Sequence, residues 1–270
     1  MSRADELKSY IIESLKQGET ELKKQWDSPK GTKTKYFFLD QIMPLEVIEE
    51  LYSAFPKDGN GFFSRKSFRE QKRTSAHLSK YNSILADCTF AFQDPEVINV
   101  ISNIVGMSEI EPDPLLYAGG LSMMFKNDFL NPHIDNSHDS TREKYRRLNI
   151  LFYVSPDWTL ENGGNLELWN DNQTESIEIV SKANRLIAME TNKKSWHSVS
   201  KVVAESPRCC VSNYYFSMAS PNKREYFHVT SFTGRPGEYV KRFISYTDNF
   251  LRNSVSKTLG FGRGKSQVNK

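Results

Sequence analysis

The sequence predicts a mainly β protein with flanking helices. Up to about residue 116, three stretches carry apolar residues at the three- and four-residue spacing of amphipathic helices. From Tyr117 onward, short apolar segments alternate with turn residues, which is typical of antiparallel strands. Eight such segments can be counted before residue 220, and eight strands suit a double-stranded β-helix core of the jelly-roll or cupin-like type.

The elements before the core are three helices and one strand. The first helix is predicted over residues 4–26, and the apolar run over residues 36–39 predicts a strand. Pro44 then suits the first turn of the second helix. The third helix begins at Asp94-Pro95 and ends at Gly106, because these residues favour helix starts and stops, respectively.

The eight apolar segments are separated by turn residues such as Gly163-Gly164 and Asn170-Asp171-Asn172, as antiparallel pairing requires. They are Leu121 to Phe125, Pro132 to Asp135, Leu148 to Val154, Asn165 to Trp169, Glu175 to Val180, Arg185 to Glu190, Trp196 to Val202, and Cys209 to Phe216. We therefore expect one domain in three parts: supporting helices and a strand over 1–116, the β-helix core over 117–220, and a C-terminal part over 221–270. The last part is predicted to hold a helix over about 239–253 and a disordered tail.

Composition argues against several classes of partner. The chain of 270 residues has 36 basic and 33 acidic residues, a net charge of +3, which is too balanced to indicate nucleic acid or a membrane surface. No apolar run approaches the ~18 residues of a membrane span, and the N-terminus lacks the apolar core of a signal peptide. Cys88, Cys209 and Cys210 suggest neither a disulfide framework nor a zinc cluster. We therefore expect a cytoplasmic protein.

One short motif carries the chemistry. His133 and Asp135 lie two residues apart, so on a strand their side chains point to the same side. His197 follows sixty-four residues after His133, in the seventh segment, which a barrel can bring beside the second. Two histidine nitrogens and one carboxylate can occupy one face of an octahedral Fe(II), leaving three positions for a co-substrate and O2. The pattern predicts an iron site formed by His133, Asp135 and His197.

The last strand adds a residue suited to a dicarboxylate co-substrate. Arg208 opens this strand, and its planar guanidinium can hold a carboxylate bidentately. A molecule as long as 2-oxoglutarate could chelate the iron through its keto acid and bind Arg208 through its far carboxylate, with a further hydrogen bond from Tyr153. Asn149 lies on the same face of its strand as Tyr153. It is either a further contact of the co-substrate or an amide satisfied in the core.

At these residues the chain resembles the Fe(II)- and 2-oxoglutarate-dependent dioxygenases, particularly their prolyl 4-hydroxylase-like branch. The resemblance extends over roughly Gly120 to Phe216. It implies that His133, Asp135 and His197 are the iron ligands and that Arg208 and Tyr153 bind the distal carboxylate of 2-oxoglutarate. Phe125 stands where the branch usually has a tyrosine, so we expect a hydrogen bond to be missing there.

The resemblance implies an enzyme that couples oxidative decarboxylation of 2-oxoglutarate to succinate with C–H hydroxylation. The expected cofactors are Fe(II), 2-oxoglutarate and O2, with ascorbate as a reductant. Asp135 disfavours halogenation, because related halogenases have a small residue at that position. A small metabolite is the expected substrate, and prolyl hydroxylation of a peptide or protein is the alternative.

The loop from Ser137 to Arg147 follows the motif and carries Arg142, Lys144, Arg146 and Arg147. It could reach over the mouth of the site, in which case an acidic substrate is favoured, or be a solvated surface loop.

Two functions of other classes stay open at this point. A cupin-type metal protein would use the same barrel, but the additional histidines and the glutamate of such sites are not found. A non-catalytic binding barrel would need neither the ligand triad nor Arg208.

Overall fold

A sheet of thirteen antiparallel strands organises the computed structural model, which describes residues 2–221, 224–259 and 268–269. The helices are α1 (Arg3–Asp27), α2 (Leu45–Ala54), α3 (Ser83–Ala91), α4 (Pro95–Val105) and α5 (Tyr239–Leu259). The strands are β1 (Tyr36–Asp40), β2 (Phe63–Lys66), β3 (Glu70–Ser75), β4 (Glu111–Pro112), β5 (Gly120–Met124), β6 (Phe129–Ile134), β7 (Tyr145–Tyr153), β8 (Leu166–Trp169), β9 (Ser176–Ile179), β10 (Arg185–Glu190), β11 (His197–Val199), β12 (Arg208–Ser217) and β13 (Ser231–Phe232). Each of the eight predicted core segments contains a strand, which confirms the mainly β architecture with flanking helices.

The N-terminal helices cover one face of the sheet. α1 begins at a capping box formed by Ser2 and Asp5, and it buries Leu7, Ile11 and Leu15. α4 begins at Asp94 and ends at Gly106, as the sequence predicts, because the Asp94 side chain accepts from the backbone and Gly106 adopts a left-handed conformation. These helices pack with the sheet in one large apolar cluster, which fixes one side of the barrel wall.

The last core strand, β12, shows how the wall separates two environments. β12 pairs with β5 on one side and β7 on the other. Because strand side chains alternate, Cys209, Val211 and Tyr215 face the helices and belong to the large apolar cluster. Cys210 belongs to a second cluster, together with Tyr153, on the opposite face of the wall. That opposite face is the barrel interior.

A hairpin that the sequence did not predict joins the sheet before the core. The basic stretch from Arg65 to Arg73 forms β2 and β3, and β3 pairs with both β5 and β6. The Arg73 guanidinium lies over the Phe125 ring, 4.1 Å from its centroid, and bonds to buried Asp128. The basic stretch is therefore part of the sheet, and Arg73 has an aromatic and an acidic partner there.

The C-terminal part returns to the core. β13 pairs with β6, and α5 follows it. α5 extends beyond the predicted end at residue 253, and most of the predicted disordered tail lies outside the described residues. The division of the chain at residues 117 and 221 stays a prediction. Among the described residues, no helix has the length and apolarity needed to cross a membrane.

Candidate metal centre

The sheet brings His133, Asp135 and His197 together in the barrel interior. His133 on β6 lies directly opposite His197 on β11, and Asp135 comes immediately after β6. One ligand atom from each of the three residues lies within 4.8 Å of the others. Each histidine Nε2 is 3.7 Å from a carboxylate oxygen of Asp135. This spacing suits three ligands on one face of a metal ion.

Hydrogen bonds orient both imidazole rings for metal binding. The Nδ1–H of His133 donates to the Asn131 carbonyl at 3.0 Å, and that of His197 donates to the Ser195 carbonyl at 2.9 Å. A carbonyl can only accept, so each Nδ1 carries a proton, and the Nε2 atoms are the nitrogens that face Asp135. This arrangement of backbone carbonyls behind the ligands is common at protein metal sites.

The protonation states also suit a metal. Burial lowers the pKa of His133 to about 3, and the neighbouring His197 acts in the same direction. Burial alone would raise the pKa of Asp135, but His197, Arg146 and His133 outweigh it and bring the pKa to about 2. At neutral pH, His133 is therefore neutral and Asp135 is ionised, as metal ligands must be. The Oδ2 atom of Asp135 is buried without a hydrogen-bond partner among the described residues, which fits a coordinating oxygen.

Arg208 and Tyr153 meet in the same interior. The Arg208 guanidinium lies over the Tyr153 ring, 4.6 Å from its centroid, and its Nε–H donates to Ser181 Oγ at 3.1 Å. The Tyr153 hydroxyl is buried and has no hydrogen-bond partner in the described part of the chain. Burial raises the pKa of Tyr153, so the hydroxyl stays protonated and can donate to an anion. The two residues can therefore bind one carboxylate.

Asn149 lies on the same strand as Tyr153 and is 3% exposed. Its register partners are Tyr214 on β12 and Met189 on β10. Its Oδ1 atom is buried and finds no hydrogen-bond partner within the described residues. This unpartnered oxygen favours a polar contact with a bound molecule over an amide satisfied in the core.

Arg146 is a site residue that the sequence analysis placed in a loop. It lies on β7, is 1% exposed, and its guanidinium carbon is 3.8 Å from the centroid of the Tyr214 ring. Its Nη1 atom is 3.6 Å from Asp135 Oδ2, too long for a hydrogen bond. All three guanidinium nitrogens lack hydrogen-bond partners in the described part of the chain. The site thus holds a buried cation beside an expected iron ligand.

A β-bulge explains why Arg146 faces inward. Leu148 pairs with Tyr215, but Arg146 pairs with the next residue, Phe216, so Arg147 is an extra residue in β7. A bulge of this kind shifts the alternation of side chains by one position. Simple alternation from Asn149 would have pointed Arg147 inward and Arg146 toward the helices.

The structure also shows where the loop from Ser137 to Arg147 and Phe125 lie. Arg142 donates to Ser256 and Lys144 pairs with Glu111, so the loop is tied to α5 and to the N-terminal part. Phe125 packs beneath Arg73 in the helix-side cluster and does not face the interior. Phe125 therefore lies away from the triad, and the expectation of a missing hydrogen bond at this position stays a prediction.

The fold and the site define a class. The donor set of two histidines and one carboxylate, with an arginine and a tyrosine in the same β-barrel interior, resembles that of the Fe(II)- and 2-oxoglutarate-dependent dioxygenases. Residues 119–216 match the model of the 2OG-Fe(II) oxygenase superfamily. Fe(II) and 2-oxoglutarate are the cofactors of this family, and the donor set found here fits the metal.

The chain is also similar to individual proteins. A stretch of 96 residues, 33% of this chain, is 29% identical to prolyl 3-hydroxylase OGFOD1 from Mus musculus, and it spans only 17% of that relative. The fold is similar to that of a prolyl 4-hydroxylase from Pseudomonas putida, with a TM-score of 0.55, 11% identity, and coverage of 74% of this chain and 98% of the other. It is also similar to the epimerase SnoN of nogalamycin biosynthesis, with a TM-score of 0.50, 13% identity, and coverage of 75% and 84%. These likenesses confirm the double-stranded β-helix.

Proposed function

We propose that this protein is an oxygenase that converts 2-oxoglutarate to succinate and CO2 while it hydroxylates a C–H bond of a substrate. One observation carries the proposal: the triad His133, Asp135 and His197 and the pair Arg208 and Tyr153 share one buried interior. A metal-binding barrel without the co-substrate would have no use for a buried arginine beside an unpartnered tyrosine hydroxyl.

Each residue has a role that follows from its contacts. His133, Asp135 and His197 would hold Fe(II), which with a chelated keto acid activates O2 for C–H oxidation. Arg208, held in place by Ser181, would receive the distal carboxylate of 2-oxoglutarate, and Tyr153 would donate to the same group. Asn149 would contact the co-substrate between these two ends.

The substrate class follows from the cation beside the triad. The Arg146 guanidinium has no hydrogen-bond partner within the described residues. A buried cation without hydrogen bonds destabilises the folded protein unless a ligand accepts hydrogen bonds from it. The Lys72 charge is close enough to lower the pKa of both His133 and Asp135. We therefore favour a small metabolite that presents a carboxylate, phosphate or similar acceptor to Arg146.

Prolyl hydroxylation of a peptide is the second candidate. It is favoured by the 29% identity with a prolyl 3-hydroxylase over 96 residues. In that case a peptide carbonyl would be the acceptor for Arg146. The fold alone does not distinguish a peptide substrate from a small metabolite, because the epimerase SnoN of nogalamycin biosynthesis has a similar architecture.

Two measurements test the proposal. Anaerobic addition of Fe(II) and 2-oxoglutarate should give the visible absorption band of the chelate, and Asp135→Ala should abolish both the band and succinate formation. A screen of acidic metabolites and proline-containing peptides for substrate-stimulated succinate release, with product masses, then decides the substrate class. An Asp135→Ala variant that keeps metal affinity and succinate formation would refute the proposal.

A further inference from the structure

We propose that the C-terminal segment from Val229 to Asn253 is a positioning element for the iron ligand His133, and that Phe232 is the positioning residue. The inference rests on the proposed function, since it concerns how this site holds its metal. The segment lies outside the stretch of residues 119–216 that matches the superfamily model, so the family assignment gives it no role.

The His133 ring is held between two other rings. On one side, His197 lies across the β6–β11 pair with its ring centroid 4.1 Å away. On the other side, Phe232 stacks on the imidazole with a centroid distance of 5.1 Å and an interplanar angle of 19°. The backbones are in register as well, because Phe232 pairs with His133 across β13 and β6. Rotation of the His133 ring would therefore displace the buried Phe232.

The pairing of β13 completes an edge that the rest of the sheet leaves open. The hairpin strand β3 pairs with β6 only at Phe129 and Leu130, before the ligand is reached. β13 takes over this edge at His133 and Ile134, and the next residue, Thr233, donates to the Pro132 carbonyl at 2.8 Å. On this edge, the end of β6 that carries His133 therefore pairs with the C-terminal segment.

α5 holds Phe232 in place through one side chain. Asn249 accepts from the backbone N–H of Phe232 at 3.0 Å and donates to the carbonyl of the same residue at 2.7 Å. One amide therefore satisfies both backbone groups on the outer edge of β13. Arg252 donates to the Thr230 carbonyl at 2.7 Å, and Asn253 accepts from Val229 N–H at 3.1 Å. Arg252 and Asn253 follow Asn249 by three and four positions, so all three lie on one side of the helix and bind the strand.

Ion pairs tie the segment to the barrel at two points. Arg69 of the hairpin pairs with Asp248 at 2.6 Å and lies 5.9 Å from the centroid of the Phe232 ring. Arg235 binds Glu167 of β8 through both of its terminal nitrogens, at 2.8 and 2.6 Å. These contacts fix where β13 can lie, and so they fix the position of the ring that backs His133.

The consequence is a pre-oriented ligand. The hydrogen bond from Nδ1 to Asn131 sets the tautomer of His133, while the Phe232 ring restricts rotation of the imidazole and closes one side of it to water. A ligand held in this way loses less conformational freedom when it binds metal. Loosening the segment should therefore weaken metal binding even when all three ligands are intact.

The test measures Co(II) affinity, because Co(II) in such a site has visible absorption that needs no substrate or turnover. Phe232→Ala and Asn249→Leu are each expected to raise the Co(II) dissociation constant about tenfold, the lower end of the effect seen when residues that support metal ligands are changed. Phe232→Tyr should restore wild-type affinity because it keeps the stacked ring. Phe250→Ala is the matched control. Phe250 follows Asn249 on α5, but its side chain is 68% exposed.

The outcomes separate the inference from the proposed function. Unfolding temperatures of the metal-free variants and their Co(II) spectra are recorded together. A merely structural role predicts lower unfolding temperatures with unchanged Co(II) affinity, and this result would overturn the inference. If Phe232→Ala does not fold, Phe232→Leu and Asn249→Leu decide by the same criterion. A wild-type protein that binds neither Co(II) nor Fe(II) would instead overturn the proposed function, and with it the inference.

Discussion

Two buried arginines lie in the same barrel and differ in what surrounds them. Arg208 donates from Nε to Ser181, and its guanidinium covers the Tyr153 ring. Arg146 stacks on Tyr214, but it has no hydrogen-bond partner among the described residues and approaches Asp135 only to 3.6 Å. Arg208 is 3% exposed and Arg146 is 1% exposed, so bulk water solvates neither guanidinium.

The difference indicates two kinds of binding site. The protein orients Arg208 before any ligand arrives, which suits a co-substrate that is the same in every turnover. Arg146 is left without a hydrogen-bonded partner, and a buried polar group in that state favours whatever molecule completes it. We therefore propose that 2-oxoglutarate binds at the Arg208 end and the substrate at the Arg146 end.

The largest expected effect tests this division directly. Arg208→Leu should weaken anaerobic binding of 2-oxoglutarate about a hundredfold, because losing one partner of a buried, hydrogen-bonded charge pair costs about 2–5 kcal/mol. Arg146→Leu should leave 2-oxoglutarate affinity within about twofold, since its guanidinium lies at the other end. The affinities come from titration of the Fe(II) chelate band.

The comparison breaks if both leucine variants lose 2-oxoglutarate binding equally. That result would mean that one anion spans both guanidinium groups. If the comparison holds, Arg146→Leu keeps its affinity for 2-oxoglutarate but loses the stimulation of succinate release by the substrate that the screen identifies.

A smaller effect is expected at Tyr153. Tyr153→Phe removes one donor to the distal carboxylate and should weaken 2-oxoglutarate binding about tenfold, as expected for a hydrogen bond to a charged group. Co(II) affinity should stay at the wild-type value, because the Tyr153 hydroxyl does not contact the triad. An unchanged affinity for 2-oxoglutarate would show that Arg208 binds the carboxylate without the tyrosine.

Much of this arrangement is predictable from the sequence because it depends on local spacing. The two-residue spacing of His133 and Asp135 puts both on one side of a strand. The apolar segments and their turns place His197 and Arg208 on late strands, where the structure has them. The capping residues of α4 are predicted correctly for the same reason, since caps act on neighbouring backbone groups.

What the sequence did not predict depends on contacts between distant residues. The inward direction of Arg146 follows from a bulge that is visible only when β7 is paired with β12. The hairpin of β2 and β3 has little apolar alternation, so its sequence carries no strand pattern. The two-residue strand β13 is too short for any pattern, and its pairing with β6 depends on α5. Nothing in the sequence therefore indicates that Phe232 lies beside the metal site.

The smallest effect is expected at Asn149, which lies on β7 between the two arginine ends. Its Oδ1 atom has no hydrogen-bond partner among the described residues, so the amide is available to a bound molecule. Asn149→Leu should weaken 2-oxoglutarate binding about threefold, within the range of about 0.5–1.5 kcal/mol for a neutral hydrogen bond. Asn149→Gln is the polar comparison, and unfolding temperatures accompany both titrations. If Asn149→Leu changes only the unfolding temperature, the residue is a core amide, and the polar contacts of the co-substrate are confined to the Arg208 end.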